Sequence, residues 1–262
     1  QVIGGVFAYT VYTSIFSDNT AFNNDRAHLY IATGSAFNDV VADLSPLLKD
    51  ESSFITVAEK KGYNDNVRPG HYIIKKGMSN NEIINTIRIK NTPVKVAFNN
   101  QERLQDMAGR VATQIEADST SLITAMLDTN FLREHDFNND TALTMYIPNS
   151  YEFFWNTSAE DFRARMLSEY KKFWNATRLA KAEALNLTPQ EVYSIAAIVQ
   201  KETAKTDERP RVAGVYLNRL RDGIKLDADP TVIYAVKREK NDWDMVIKRV
   251  LYKDLEVDSP YN

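Results

Sequence analysis

No cysteine occurs among the 262 residues. Disulfides, thiolate nucleophiles and thiolate metal sites are excluded together, and a cysteine-free chain fits an envelope location without proving one. Histidine is nearly as scarce: His28, His71 and His135 are scattered, and no two stand at the short spacing of metal ligands. No metal is expected. No serine sits in a nucleophile-elbow pattern with a histidine nearby, and the nine glycines form no phosphate-cradling loop, so no cofactor is expected either. Charge of one sign is also lacking. Lys and Arg total 32 against 35 Asp and Glu, for a net charge of -3, and no basic block tracks a phosphate backbone. Nucleic acid is not an expected partner.

A composition of 44% hydrophobic and 26% charged residues can fill a globular core, and the length suits one large domain or two ordinary ones. The opening segment QVIGGVFAYTVYTSIF carries no charge before Asp18. It falls short of the roughly 20 apolar residues that cross a bilayer. Because the chain starts at Gln1 rather than Met, residues 1–22 are expected to be the outer part of a signal anchor, with Tyr9 and Tyr12 at the interface. The alternative is a buried first helix or strand.

Residues 28–99 read as a small mixed module. HLYIA is strand-like, and GSAFNDVVADL predicts a helix capped by Ser35 with Phe37, Val40, Val41 and Leu44 on one face. A second helix is expected over 53–61, stopped by Gly62. A turn at Pro69 and Gly70, a strand over 71–75 and a capping box of Ser79 and Glu82 before Ile83, Ile84 and Ile87 follow, then a strand in TPVKVAF. The boundary is expected near Asn99 and Asn100. Beyond it, two helices are predicted over 101–132, an extended or turn segment at MYIPNSYEFFW, and one long helix from Ala159 to about Ala184 with Phe162, Met166, Tyr170 and Phe173 as its core face.

Thr188, Pro189 and Glu191 form a strong helix start. On that helix Val192, Ile195, Ala196, Val199 and Thr203 share one side, and Glu202 falls at its edge next to Ile195, with Lys201 pointing away. A carboxyl against apolar surface is desolvated when charged, which would let it hold a proton near neutral pH, as a general acid for sugar chemistry must. The plainer reading is a helix-end glutamate, solvated or paired with Arg209 or Arg211. Further on, Asn218, Asp227, Asp229, Thr231 and Tyr234 offer hydrogen-bonding groups beside an apolar run, which suits a carbohydrate better than a phosphate. Taken singly, Asp227 and Asp229 read as turn caps and Asn218 as a backbone-binding residue.

The strings IVQKETA, RVAGVYLNRL, KLDADPTVIYAV and SPYN, in this order and at these spacings, closely resemble the YceG-like (MltG) family of endolytic murein transglycosylases. VRPGHYIIKKGMSNNEIINTIR resembles that family's LysM-like module, and YIPNSYEFFWNTSAEDF its segment before the catalytic domain. The resemblance implies an α+β protein: a LysM-like βααβ-type module over 28–99 and a mainly helical catalytic domain with short strands over 100–262. It implies Glu202 as the catalytic residue. Asn218, Asp227, Asp229, Thr231, Tyr234, Tyr261 and Asn262 are the substrate-binding candidates. The implied reaction cleaves peptidoglycan glycan strands internally, between N-acetylmuramic acid and N-acetylglucosamine, and leaves 1,6-anhydro-muramyl ends. The implied setting is a single-pass anchor in a bacterial inner membrane, the enzyme outside it, with wall-synthesis proteins as partners.

Two departures mark this chain. Asp227 stands where the family commonly has Gln, and a second carboxylate near Glu202 would open a hydrolytic route. The family usually continues beyond SPYN, so part of the cleft is expected to lie past Asn262. Two other readings therefore stay open: a muramidase-type hydrolase using Asp227 or Asp229 with Glu202, and a non-catalytic wall-binding or scaffold protein.

Overall fold

The computed structural model describes residues 2–262, and Gln1, part of the expected anchor, lies outside the described residues. Two compact units emerge, 1–170 and 171–262. The architecture is α+β, with many helices and two small antiparallel sheets.

The first unit opens with α1 (Val2–Phe16), whose end meets the helices α3 (Glu51–Lys60) and α4 (Asn80–Ile89). Buried amides hold it there. Asn80 Nδ2 donates to the Ser14 carbonyl at 2.8 Å, and Asn19 bridges the Asn80 side chain at 2.7 Å and the Asp50 carbonyl at 2.8 Å. No helix among the described residues is long and apolar enough to cross a membrane.

Between α1 and α4 run β1 (Arg26–Ile31), α2 (Phe37–Leu44), α3 and β2 (Gly70–Lys75), with β1 and β2 paired antiparallel from Arg26 opposite Lys75 to Ile31 opposite Gly70. Alternation decides the faces. Leu29, Ile31, Tyr72 and Ile74 point into a core shared with Val40, Leu44, Phe54, Ile83, Ile84 and Ile87. His28, Tyr30 and His71 take the other face, where their rings stack and His28 Nδ1 lies 2.8 Å from His71 Nε2. Two of the three scattered histidines thus meet across the strands. His71 is buried, which pulls its pKa below the ordinary histidine value, and its Nδ1 faces the Thr92 carbonyl at 3.0 Å. Among the described residues, no three side chains of metal-binding type converge.

Local caps explain the helix starts. Ser79 and Glu82 form the expected capping box, with Ser79 N–H donating to Glu82 at 2.8 Å. At α2 the cap is Ala36 rather than Ser35: the Asp39 carboxylate reaches back to accept the Ala36 N–H at 2.8 Å, which replaces a hydroxyl cap. Gly62, at φ +62°, ends α3 in the left-handed region.

The strand β3 (Val94–Phe98) pairs antiparallel with β4 (Asn149–Phe153), from Val94 opposite Phe153 to Phe98 opposite Asn149. This ladder crosses the expected boundary at Asn99 and Asn100, which lies inside the first unit. Between these strands stand three helices rather than two: α5 (Leu104–Ala112), α6 (Ser119–Met126) and α7 (Thr129–Glu134). Asp118 and Asp128 cap the last two through the backbone N–H groups of Ser121 and of Asn130 and Phe131. Pro148 precedes β4, and α8 (Ala159–Phe173) lays Phe162, Met166 and Tyr170 into the interior, but Phe173 is exposed.

The expected long helix is broken. α8 stops at Phe173 and α9 (Ala176–Glu183) restarts two residues on, because the Asn175 side chain accepts the Arg178 N–H at 3.1 Å and so caps a new helix. In the second unit follow α10 (Pro189–Glu202), α11 (Arg209–Arg221) and α12 (Asp229–Lys240), and both α11 and α12 pack on α10.

Candidate active site

α10 begins as the sequence predicts. Thr188 accepts the Glu191 N–H at 3.2 Å, Glu191 accepts the Thr188 N–H at 2.7 Å, and Pro189 occupies the first turn. Ile195 and Val199 are buried from its inner side and pack with Tyr216 of α11 and Ala228. The helix ends on Glu202, and Thr203 turns to an extended conformation.

That ending changes the environment expected for Glu202. The side chain is exposed rather than pressed into apolar surface, since no further helical turn covers it. Its partner is also new: the Tyr216 hydroxyl donates to Glu202 Oε1 at 2.9 Å. Neither Arg209 nor Arg211 takes that place. The nearby loop uses other residues for its own order, Thr203 donating to Glu208 at 2.9 Å and Lys205 pairing with Glu208 at 3.1 Å.

Tyr216 is only 7% exposed. Burial, then the bond to Glu202 and its charge, push the phenol up to about 12, and Asp229 adds to the rise. Asp229, in the first turn of α12, is therefore the predicted carboxylate that shares the surroundings of the Glu202–Tyr216 pair. Sequence reading missed Tyr216. The signal available was that a tyrosine in an apolar helix face needs a hydrogen-bond partner for its hydroxyl.

Asp227 is engaged elsewhere. It adopts the left-handed conformation, at φ +50°, and its carboxylate pairs with Arg219 at 2.9 Å. The same guanidinium nitrogen donates to the carbonyls of Lys225 and Leu226 at 3.0 and 2.8 Å, so Arg219 fastens the turn between α11 and α12. The other predicted residues separate into three groups. Asn218 is exposed two residues after Tyr216, roughly 200° around α11 from it. Thr231 donates to the Ala228 carbonyl at 2.9 Å, and Asn262 to the carbonyls of Leu255 and Val257 at 2.7 and 2.8 Å, so both serve the backbone. Tyr234 and Tyr261 do meet, edge to face with centroids 4.8 Å apart, and Trp243 also meets Tyr234 edge to face at 5.2 Å. Arg238 donates to the Tyr261 hydroxyl at 3.0 Å. An open groove in the first unit, lined by residues that include Phe98, Arg110 and Asn149, contains none of the predicted site residues.

The chain is 25% identical over 280 residues to the endolytic murein transglycosylase of Bacillus subtilis (strain 168), covering 100% of this chain and 75% of that protein. It is 24% identical over 288 residues to the endolytic murein transglycosylase of Streptococcus pneumoniae serotype 2 (strain D39), covering 99% of this chain but only 52% of that protein. The chain thus spans about half the length of its pneumococcal relative. Among solved structures, a YceG-like protein of Listeria monocytogenes shares the fold with a TM-score of 0.57 at 23% identity, over 92% of this chain and 83% of that one. The family model described as the YceG-like family matches residues 29–262, so this chain belongs to the YceG-like family.

Proposed function

We propose that the chain is a lytic transglycosylase that cleaves peptidoglycan glycan strands internally between N-acetylmuramic acid and N-acetylglucosamine, with Glu202 as its acid and base. Family membership and relatives named endolytic murein transglycosylases support the reaction class. The observation that carries the mechanism is the setting of Glu202, an exposed carboxylate at a helix end held by one buried hydroxyl, while Asp227 is tied to Arg219. A hydrolase of either stereochemistry needs two carboxyl groups in register with the bond. Here one suffices, because the substrate supplies the nucleophile. Glu202 protonates the leaving glycosidic oxygen as the bond to C1 breaks, the muramyl C6 hydroxyl attacks C1 of its own ring, and its proton passes to the Glu202 carboxylate. No water is consumed.

Mass spectrometry of the product ends tests this directly. Transglycosylation leaves an anhydro end lighter by one water than the reducing end of a hydrolase. Asp227→Asn separates the two readings a second time: as an exposed ion-pair partner, Asp227 is expected to change the rate by less than roughly threefold. A hundredfold loss, with reducing ends in the wild type, would move the assignment to a hydrolase.

The β1–α2–α3–β2 unit is proposed as a LysM-like glycan-binding module. We also infer an anchor in the bacterial cytoplasmic membrane with the catalytic unit outside, supported by the uncharged α1 and by Tyr9, Tyr12 and Phe16, all exposed on it. The native protein is expected in the membrane pellet, released by detergent and not by salt. Recovery in the soluble fraction after simple lysis would refute the anchor.

A further inference from the structure

An exposed carboxylate at a helix end rotates freely, and its two oxygens are equivalent until something distinguishes them. We propose that Tyr216 is the positioning residue that does so: its hydroxyl fixes Glu202 through Oε1, leaving Oε2 as the oxygen that gives and regains the proton. This rests on the reading of Glu202 as the acid and base.

Three observations carry it. The hydroxyl lies 2.9 Å from Oε1, within good hydrogen-bond distance. The ring that bears it is itself immobilised, 7% exposed and packed among Ile195, Val199 and Ala228, so the bond is anchored in the packed interior rather than between two mobile side chains. The phenol also holds its proton throughout any working pH, pushed up to about 12 by burial and by the charges of Glu202 and Asp229, with Arg219 opposing them. Tyr216 is therefore a permanent donor and not a second base.

The proton traffic then balances on a single atom. The proton on Oε2 moves to the glycosidic oxygen, which takes the electron pair of the breaking C1–O bond. The C6 oxygen forms the new bond to C1, and the proton it loses returns to Oε2. Orientation of this kind is worth much, since a misplacement of about 1 Å can cost on the order of a hundredfold in rate.

Tyr216→Phe keeps the buried ring and removes only the donor. Digestion of purified glycan strands is expected to show kcat lowered by roughly 10- to 100-fold, with KM within about twofold of the wild type, since a residue that acts through Glu202 does not hold the sugar. In a Glu202→Asp background, where the shortened side chain cannot keep the same bond, the added effect of Tyr216→Phe should fall below about threefold, the mark of two groups acting through one contact. An unchanged kcat, an undiminished effect beside Glu202→Asp, or a Tyr216→Phe protein that does not fold would each overturn the proposal. If Glu202→Gln proves fully active, the reading of the site fails first; if Glu202→Gln is inactive while Tyr216→Phe is normal, only the role of Tyr216 falls.

Discussion

Purified glycan strands incubated with Glu202→Gln are expected to yield anhydro-muramyl ends at least about a thousandfold more slowly than with the wild type. The magnitude follows from the double duty of the group. General acid or base catalysis contributes typically 10²- to 10⁴-fold, and in the proposed mechanism the same carboxyl protonates the leaving oxygen and then receives the C6 proton. An amide does neither. Glutamine matches glutamate in size, and its carbonyl can still accept from the Tyr216 hydroxyl, so the helix end and the Ile195–Val199–Tyr216 packing should persist. The variant should also still sediment with insoluble peptidoglycan if the β1–α2–α3–β2 unit grips glycan. Residual activity within tenfold of the wild type would remove Glu202 from the mechanism. A wild type that binds strands and cuts none would favour a wall-binding protein.

Phe162→Ala is expected to cost about 3–5 kcal/mol, the range for removing a buried aromatic ring. Phe162 lies fully buried on α8. Its ring stands 5.0 Å from Phe153 of β4 and stacks at 6.3 Å on Tyr146, which precedes that strand. Phe153 in turn meets Tyr151, and Tyr151 meets Phe98 of β3. Truncation would open a cavity between a helix and the strand that closes the β3–β4 ladder, where neither rigid element can collapse to fill it. At roughly 2–4 °C per kcal/mol for a domain of this size, the thermal midpoint of the first unit should fall by about 10 °C. A loss under about 1 kcal/mol in denaturant titration would show that the ring does not carry this packing.

Legibility followed locality. The start of α10 could be read because Thr188, Pro189 and Glu191 act within one turn, and the same holds for Ser79 and Glu82 at α4. The break between α8 and α9 was missed because apolar spacing continues across it, and a single side chain, Asn175, decides the matter by capping. The third helix over 129–134 had a local signal in Asp128, outweighed by the apparent continuity of the apolar pattern before it. The pairing of β3 with β4 had none, since the strands are separated by three helices and register is set by contact across that distance.

The sequence alone determined the capping boxes at Ser79 and Thr188, most of the buried faces, the family pattern, and Glu202 as the acid to consider. These depend on residues a few positions apart, where backbone geometry already places side chains together. Only the tertiary structure decided that Glu202 meets Tyr216, that Asp227 belongs to Arg219, and that Tyr234 and Tyr261 share a ring contact. Each is a pairing across a loop or between separate elements, set by how α10, α11 and α12 pack, and a shift of one residue in that packing would turn every one of these side chains to a different neighbour.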